Sequence, residues 1–288
     1  MSEMVIGFIG LGLMGEPMST NLVKKSGHPV LVYDVDSSAG EETIRAGAVR
    51  QENPETLARQ CNVLFSMLPN DKALLDTGQR IFEKLHPGTI WADMSTVSPD
   101  TAHVLSKQLT RKNCCFLDTP VVKSRTAAIS GELGIYVGGN VDMYRKIMPL
   151  LLCMGKNIQY IGSSGSGLIM KLCHNLLVAQ IQNGVNEAMS LAMKLTGVRP
   201  TEFANAISLG GGQNFYLESK AASIESGDFR TAFSIANMYK DLCLVQTLSA
   251  QAELSLDGLE TVWQIYDYMI KQQCGAEDFS ATWKLFAG

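Results

Sequence analysis

Short apolar segments of strand length recur through the first half of the chain. They lie at residues 5–10, 29–34, 63–68, 89–93, 116–121, 134–137 and 158–161. Helical patterns lie between several of them, for example at 16–25, 99–111 and 141–154. The central segments are apolar throughout, which is typical of strands covered on both faces. This alternation predicts a mainly parallel sheet with helices on its two faces.

The pattern changes after a segment rich in glycine and serine, Gly162-Ser-Ser-Gly-Ser-Gly167. From residue 168 to about 195 most positions are apolar or small, and Gly184 is the one strong breaker. We expect one long, well-buried helix here, ended by Gly197 and Pro200. Only helical patterns follow, at 201–208, 215–226, 231–253 and 259–272. The sequence therefore predicts an α/β domain of residues 1–162 and an all-helical domain of residues 163–288.

The first apolar segment breaks into a turn, Gly10-Leu-Gly12-Leu13-Met14-Gly15. A helical pattern follows, and then a second strand that ends in Asp34, an order typical of a Rossmann-type dinucleotide-binding domain. In such a domain Gly10 permits the turn, Gly12 lets the pyrophosphate approach the backbone, and Gly15 lets helix and strand pack closely. The helix N-terminus offers N–H groups and a positive dipole end to the phosphates. The alternative is a glycine-rich turn that serves packing alone.

Asp34 decides which dinucleotide the sequence favours. A carboxylate at the end of the second strand accepts hydrogen bonds from the adenine ribose hydroxyls and would repel a 2′-phosphate. Residues 35–38 are Val-Asp-Ser-Ser and include no cation. We therefore expect NAD rather than NADP. The alternative, that Asp34 or Asp36 caps the next helix, is compatible with the same role.

Two polar loops follow later strands. One is Met67-Leu68-Pro69-Asn70, and the other is Asp93-Met-Ser95-Thr96. Ligands of open parallel sheets bind at the carboxyl ends of the strands. We therefore expect both loops to contact the cofactor, although Ser95 or Thr96 could equally be an ordinary helix cap.

Three polar residues of the long helix share one face, because Lys171, His174 and Asn175 lie at positions i, i+3 and i+4. Their neighbours in sequence are mostly apolar. A lysine in that setting is either a surface residue whose ammonium reaches water or a desolvated acid/base with a lowered pKa.

Composition excludes several classes of protein. The chain has 288 residues, of which 46% are hydrophobic, and a formal net charge of −4, so we expect no nucleic-acid partner. The seven cysteines form no C-x-x-C pair and the four histidines no ligand pattern, so neither a disulfide scaffold nor a metal site is expected. The N-terminus lacks a basic region, and glycines cut the apolar run that follows. We therefore expect a cytoplasmic protein without a signal peptide or membrane span.

Seven motifs occur in order along the chain and together resemble one family. They are Gly7-Phe-Ile-Gly-Leu-Gly-Leu-Met-Gly15 with Pro17-Met18, Asp93-Met-Ser-Thr96, Asp118-Thr-Pro-Val121, Gly131-Glu-Leu133 with Val137-Gly-Gly139, Gly165-Ser-Gly167 leading into Lys171-x-x-x-Asn175, Lys240-Asp241-Leu242 and Asp278-Phe-Ser-Ala281. This set is similar to the β-hydroxyacid dehydrogenase family, which includes 3-hydroxyisobutyrate dehydrogenase. The resemblance covers nearly the whole length. It implies the fold of 6-phosphogluconate dehydrogenase-like proteins, a Rossmann-type domain followed by an all-helical substrate and oligomerisation domain.

The resemblance also implies an activity, the transfer of hydride between NAD(P) and a small 3-hydroxy acid or its semialdehyde. It implies that Lys171 is the general acid/base, that Asn175 orients the substrate, and that Ser95 and Lys240 line the nicotinamide end of the site. The chemistry agrees, since the cofactor supplies the hydride and the protein must supply one proton and a fixed geometry. We also expect a homo-oligomer, either a dimer or a tetramer.

One loop departs from the family. Most members carry Ser-Gly-Gly after Asp-x-Pro-Val, a loop that holds the substrate carboxylate, whereas this chain reads Val122-Lys123-Ser124-Arg125. A minority branch that looks like sulfolactaldehyde reductase has a basic residue at the position of Lys123, but it tends to have Asn in place of His174. The two cations and Ser124 predict a substrate with a strong anionic group and a second one remote from the reacting carbon. Lys123 or Arg125 could instead point to water or contact the cofactor phosphates, and His174 is either a polar group of the pocket or a satisfied interior histidine.

Two other classes of function stay open. A non-catalytic dinucleotide-binding module would use the same fold for oligomerisation or sensing, but such a module should have lost Lys171. Relatives with this architecture also reduce C=N bonds, and those usually lack the lysine. The presence of Lys171 favours the dehydrogenase over both.

Overall fold

The computed structural model of this protein describes residues 4–287 and shows two compact units. The first ends at Lys171 and the second begins at Leu172. The division falls inside one continuous helix, Ser166–Thr196, so this helix belongs to both units. Of the helices in residues 4–287, none has both the length and the apolar character that crossing a bilayer requires.

The first unit is built on one sheet of nine strands. They are β1 (Ile6–Ile9), β2 (Val30–Tyr33), β3 (Val49–Arg50), β4 (Val63–Ser66), β5 (Ile90–Asp93), β6 (Cys115–Asp118), β7 (Val121–Val122), β8 (Leu133–Gly139) and β9 (Gly155–Gly162). The order β3-β2-β1-β4-β5-β6 is parallel throughout. β6 and β7 both pair antiparallel with β8, and β9 pairs parallel with β8. The predicted α/β fold with a mainly parallel sheet is confirmed.

Successive residues of the central strands pack into opposite layers, because side chains of a strand alternate between its two faces. Phe8 and Phe65 belong to one buried cluster, whereas Ile9 and Leu64 belong to the other. The helices that cover these layers are α1 (Gly15–Lys25), α2 (Glu41–Arg45), α3 (Pro54–Ala58), α4 (Asp71–Ile81), α5 (Pro99–Thr110), α6 (Arg125–Ser130), α7 (Val141–Met154) and the start of α8 (Ser166–Thr196). Both faces of the sheet are covered, as the uninterrupted apolar strands predict.

The parallel strands end at a common edge. In their register Ile9 is opposite Ser66, Ser66 is opposite Asp93, and Asp93 is opposite Asp118. The loops that leave β1, β4, β5 and β6 therefore begin side by side, and these loops hold most of the predicted site residues of this unit.

The second unit is all helical apart from one isolated bridge between Ser234 and Asp278 in the described residues. After α8 its helices are α9 (Pro200–Ile207), α10 (Phe215–Ser226), α11 (Ile235–Gln251), α12 (Asp257–Lys271) and a 3-10 helix, Phe279–Leu285. Its larger core includes Met238, Leu242 and Tyr266. The predicted all-helical second part is confirmed.

Two predicted elements differ in detail from the structure. The single strand expected at 116–121 is two strands, β6 and β7, because Pro120 between them has no N–H to donate to a ladder. The helix expected at 231–253 begins at Ile235, since the Asp278 carboxylate holds the N–H groups of Ala232 and Phe233 outside the helix. The 3-10 helix and β3 were not predicted.

The long helix is less buried than its apolar sequence predicts. Leu191 and Leu195 are 63% and 74% exposed. A helix of 31 residues presents side chains all round its axis, whereas the core of this chain covers only part of that surface. The expectation of a well-buried helix was wrong for its C-terminal part.

Candidate cofactor and active site

Two of the three glycines in the turn after β1 have no room for a side chain. A Cβ at Gly10, where φ is +94°, would lie 2.2 Å from the carbonyl oxygen of Met67, and a Cβ at Gly15 would lie 1.9 Å from that of Gly10. At Gly12, by contrast, a Cβ would meet none of the described protein atoms within 4 Å. Close packing therefore explains why positions 10 and 15 are glycine. The absence of a side chain at Gly12 instead leaves open space beside the turn.

The N-terminus of α1 faces that turn, and its N-cap residue, Met14, makes no side-chain cap. Leu13 is exposed and Met14, the residue before the helix, is half-buried. The first backbone N–H groups of a helix need partners from outside it, and an anion such as a phosphate satisfies them. This end of α1 fits a dinucleotide pyrophosphate.

The carboxylate of Asp34 joins the end of β2 to the glycine turn. Its Oδ2 accepts a hydrogen bond from Leu11 N at 2.5 Å, and its Oδ1 accepts one from Asp36 N at 2.9 Å. A cation that the sequence pattern does not indicate lies nearby. β3 pairs with β2 and carries Arg50, whose guanidinium donates to the carbonyl oxygen of Ala39. Only strand pairing brings Arg50 to this loop, so the composition of residues 35–38 gave no signal for it.

Ser95 links the loops that follow β4 and β5. Its hydroxyl donates to Asp93 Oδ1 at 2.7 Å and accepts from Leu68 N at 2.8 Å. The side chain is fully buried. The Ser95 oxygen therefore holds two strand-end loops together in this structure.

The rest of these loops is more accessible. Pro69 and Asn70 are exposed, and Met67 and Thr96 are half-buried. The side-chain oxygen of Asn70 also caps α4, accepting from Ala73 N at 2.9 Å. Sequence analysis considered a capping role for Ser95 or Thr96, whereas Asn70 is the residue of these loops that caps a helix here.

Asp93 is buried between the same loops. Its Oδ1 accepts from Ser66 Oγ at 2.5 Å as well as from Ser95, and its Oδ2 has no hydrogen-bond partner among the described residues. Burial raises the pKa of Asp93 to about 7, although the two serine hydroxyls oppose that rise.

The loop that departs from the family pattern leaves β7 with a strained residue. Lys123 has φ +82°, a backbone conformation that glycine adopts readily and that costs other residues of order 1 kcal/mol. Its Nζ donates to the carbonyl oxygen of Glu132 at 2.9 Å. Val122 is buried, whereas Lys123, Ser124 and Arg125 are exposed.

Lys123 thus has the backbone conformation of a glycine. In the family that the sequence resembles, most members have the first glycine of Ser-Gly-Gly at this position. Lys123 therefore has a positive φ that a glycine would adopt without strain.

Lys171 is buried, with 8% of its surface exposed, five residues into α8. The start of α8 is held by a carboxylate from another element, because Asp118 Oδ1 accepts from Gly165 N at 2.8 Å and Oδ2 accepts from Leu168 N at 3.1 Å. Asp118 is fully buried, and this burial raises its pKa while the backbone N–H groups oppose the rise. Sequence analysis included Asp118 in a motif but gave it no role.

In the second unit, Asp241 brings two predicted site residues together. Asn175 Nδ2 donates to Asp241 Oδ2 at 2.5 Å. Lys240 Nζ lies 2.7 Å from Asp241 Oδ1, close enough for an ion pair although the two groups are not aligned for a hydrogen bond. Asp241 and Asn175 are buried, and His174 is half-buried. Asp241 is thus a residue that sequence reasoning quoted in a motif but did not single out.

Within residues 4–287 no group of three or more His, Cys, Asp or Glu side chains is placed to hold a metal ion. The seven cysteines are all free thiols.

Two family models cover almost the whole chain. Residues 5–162 match the NAD binding domain of 6-phosphogluconate dehydrogenase. Residues 165–286 match a domain described as NAD-binding of NADP-dependent 3-hydroxyisobutyrate dehydrogenase.

Named proteins are similar over the same length. The 2-(hydroxymethyl)glutarate dehydrogenase of Eubacterium barkeri is 31% identical over 285 residues, which are 98% of this chain and 94% of that protein. The NAD-dependent L-serine dehydrogenase of Pseudomonas aeruginosa is 32% identical over 292 residues, 98% of this chain and 97% of that protein. The structure of Mycobacterium tuberculosis 3-hydroxyisobutyrate dehydrogenase with L-serine superposes with a TM-score of 0.90 at 27% identity and covers 99% of this chain and all of that one.

Proposed function

We propose, from the premise that this chain belongs to the β-hydroxyacid dehydrogenase family, that it transfers a hydride between NAD and a small 3-hydroxy acid or its semialdehyde. The chain is an NAD-dependent oxidoreductase acting on CH–OH groups of hydroxy acids. What the proposal adds is the substrate subclass and the residues that carry the chemistry.

The buried lysine on α8 carries the proposal. We assign to Lys171 the proton transfer at the substrate oxygen, because it is a buried ammonium on a helix whose start is fixed by hydrogen bonds. Asn175 orients the substrate, and it is itself held by Asp241. The bound cofactor supplies or accepts the hydride. Ser95, His174 and Lys240 complete the proposed surroundings of the substrate.

The proposed cofactor site follows the strand-end loops of the first unit. Gly12 and the uncapped start of α1 would hold the pyrophosphate, and Asp34 would accept from the adenine ribose. The full proposed set is Gly10, Gly12, Leu13, Met14, Gly15, Asp34, Met67, Leu68, Pro69, Asn70, Ser95, Thr96 and Lys240. We propose that residues 1–162 form the NAD-binding domain and that residues 163–288 form the substrate and oligomerisation domain.

We further propose that the substrate carries a second anionic group, read by Lys123. The strained backbone of Lys123 supports this proposal. A lysine at a φ that favours glycine costs stability, and such strain is typical of residues that have a function at a site. The contact of its Nζ with the Glu132 carbonyl is exposed, so a substrate anion could replace it at little cost. A relative named for 2-(hydroxymethyl)glutarate, a dicarboxylate, is consistent with this. The second candidate is a sulfolactaldehyde reductase-like activity, favoured by the same cation.

A panel of mono- and dianionic hydroxy acids tests this reading of the loop. Lys123→Ala should lower kcat/KM for dianionic substrates by about 10- to 100-fold, since a charged hydrogen bond is worth about 1.5–3 kcal/mol. Monoanionic substrates should change little. Lys156→Ala is the matched control, because Lys156 is another exposed lysine that contacts Glu132.

Lys123→Gly separates specificity from stability. It removes the cation and also the strained side chain, so we expect a higher melting temperature together with the same loss on dianionic substrates. Equal losses on mono- and dianionic acids, or none on either, would show that this loop does not read charge.

Two broader features complete the proposal. We propose a homo-oligomer, a dimer or a tetramer, supported by the exposed leucines on the C-terminal part of α8. We propose a cytoplasmic location, which the seven free thiols support.

A further inference from the structure

Asp118 makes two hydrogen bonds to the start of α8 from a distant part of the chain. Its carboxylate comes from the end of β6 and accepts from the N–H groups of Gly165 and Leu168, 47 and 50 residues later in the chain. These are first-turn donors of a helix that needs partners there. A negative charge at a helix N-terminus also complements the helix dipole. Asp118 therefore acts as the N-terminal cap of α8 from a distant strand.

The packing around this carboxylate fixes its position closely. A Cβ at Gly138 would lie 2.5 Å from Asp118 Oδ2, and a Cβ at Gly167 would lie 2.9 Å from the same atom. On the other side of the turn, His103 Nε2 lies 2.7 Å from the carbonyl oxygen of Ser164. Helix α8 thus begins at a point that is constrained by the sheet, by two glycines and by α5.

Lys171 lies one helical turn beyond Leu168, on the same side of the helix. A movement of the first turn would displace its ammonium directly. Catalytic groups lose activity when they shift by about 1 Å, by as much as 100-fold. The geometry points to Asp118 as a positioning residue that sets the location of Lys171, an inference that rests on the proton-transfer role proposed for Lys171.

Asp118→Asn tests this directly, because asparagine keeps the size of the side chain but loses the charge and one acceptor. We expect kcat to fall at least tenfold, while the dissociation constant of NADH, measured by fluorescence, stays within about twofold of wild type. That split is expected because the hydrogen bonds described for the glycine turn and for Asp34 do not involve the start of α8. A general loss of folding would weaken NADH binding together with turnover.

Gly167→Ala tests the same contact without removing a hydrogen-bonding group. Its Cβ would lie 2.9 Å from Asp118 Oδ2 and 3.0 Å from both the carbonyl oxygen of Asp118 and the backbone nitrogen of Gly138. These contacts would displace Asp118 relative to α8, so kcat should fall although alanine favours helices. Gly184→Ala is the matched control in the same helix, since a Cβ there would meet no described atom within 4 Å. It should keep wild-type turnover. If Asp118→Asn fails to fold, Gly167→Ala carries the test alone.

The outcomes separate this inference from the proposed function. Normal turnover of Lys171→Met would show that Lys171 does not transfer the proton. It would overturn both the proposed function of Lys171 and the inference about Asp118. A disabled Lys171→Met beside normal turnover of Asp118→Asn and Gly167→Ala would overturn the inference alone. A fall in turnover matched by an equal weakening of NADH binding would also overturn it.

Discussion

Asp93 and Asp118 are opposite each other on β5 and β6, yet their carboxyl groups meet different donors. Asp118 accepts from two backbone N–H groups, which favours its charged form. Asp93 accepts from two serine hydroxyls at one oxygen, and its other oxygen is buried without a described partner. The two residues therefore have separate tasks, one at the start of α8 and one between the loops that begin the proposed cofactor site.

The pKa of Asp93 predicts a stability that falls as pH rises. The folded protein holds a proton on this group up to about pH 7, whereas the unfolded chain loses it near pH 4. The contribution of Asp93 to the unfolding free energy is therefore most favourable below pH 4 and is lost progressively as pH rises to about 7. Asp93→Asn keeps a neutral group there and should lack this dependence.

Thermal unfolding of wild type and Asp93→Asn at pH 5 and pH 8 measures the effect. The melting temperature of the wild type minus that of the variant should be smaller at pH 8 than at pH 5, because Asp93 contributes its stability only at the lower pH. The other titrating groups are common to both proteins and cancel in this difference. An unchanged difference between the two proteins at both pH values would contradict a raised pKa at Asp93.

At the scale of elements, the pairing of β2 with β3 sets the surroundings of the adenine ribose. Asp34 directly follows β2, and β3 brings Arg50 to the following loop. The carboxylate disfavours a 2′-phosphate, and the guanidinium is a cation that could accept one. The balance between these two residues should decide the choice of cofactor.

We predict that the wild type prefers NAD(H) over NADP(H) by at least tenfold in kcat/KM, about 1.4 kcal/mol. Asp34→Asn should narrow that preference, because it removes the repelling charge and keeps an acceptor for Leu11 N. The double variant Asp34→Asn with Arg50→Ala should have a lower kcat/KM with NADP(H) than Asp34→Asn alone. A tenfold preference of wild type for NADP(H) would overturn this assignment.

Local patterns predicted the elements better than the contacts between them. The turn at Gly10 and Gly15, the place of Asp34 directly after β2 and the span of α7 all follow from neighbouring residues, so the sequence predicts them. The cap of α8 by Asp118 and the approach of Arg50 depend on strand pairing between distant segments. Asp241 likewise meets Asn175 only when α8 and α11 pack together. Such contacts leave no periodic signal in the chain.

At the scale of the whole molecule, each unit supplies a different part of the proposed chemistry. The glycine turn, Asp34, the strand-end loops and Lys171 belong to the first unit. His174, Asn175 and Lys240 belong to the second. Lys171 must transfer the proton, while the first unit supplies every proposed dinucleotide contact except that of Lys240.

Turnover of Lys171→Met, measured together with its NADH dissociation constant, tests this claim most directly. Methionine keeps the length and apolar body of the side chain and removes the proton. Lys194→Met is the matched control, because Lys194 is an exposed lysine of the same helix. The account predicts a fall in kcat of about 100-fold or more for Lys171→Met with NADH binding near wild type, and no fall for Lys194→Met. Wild-type turnover by Lys171→Met on a hydroxy acid substrate would contradict it.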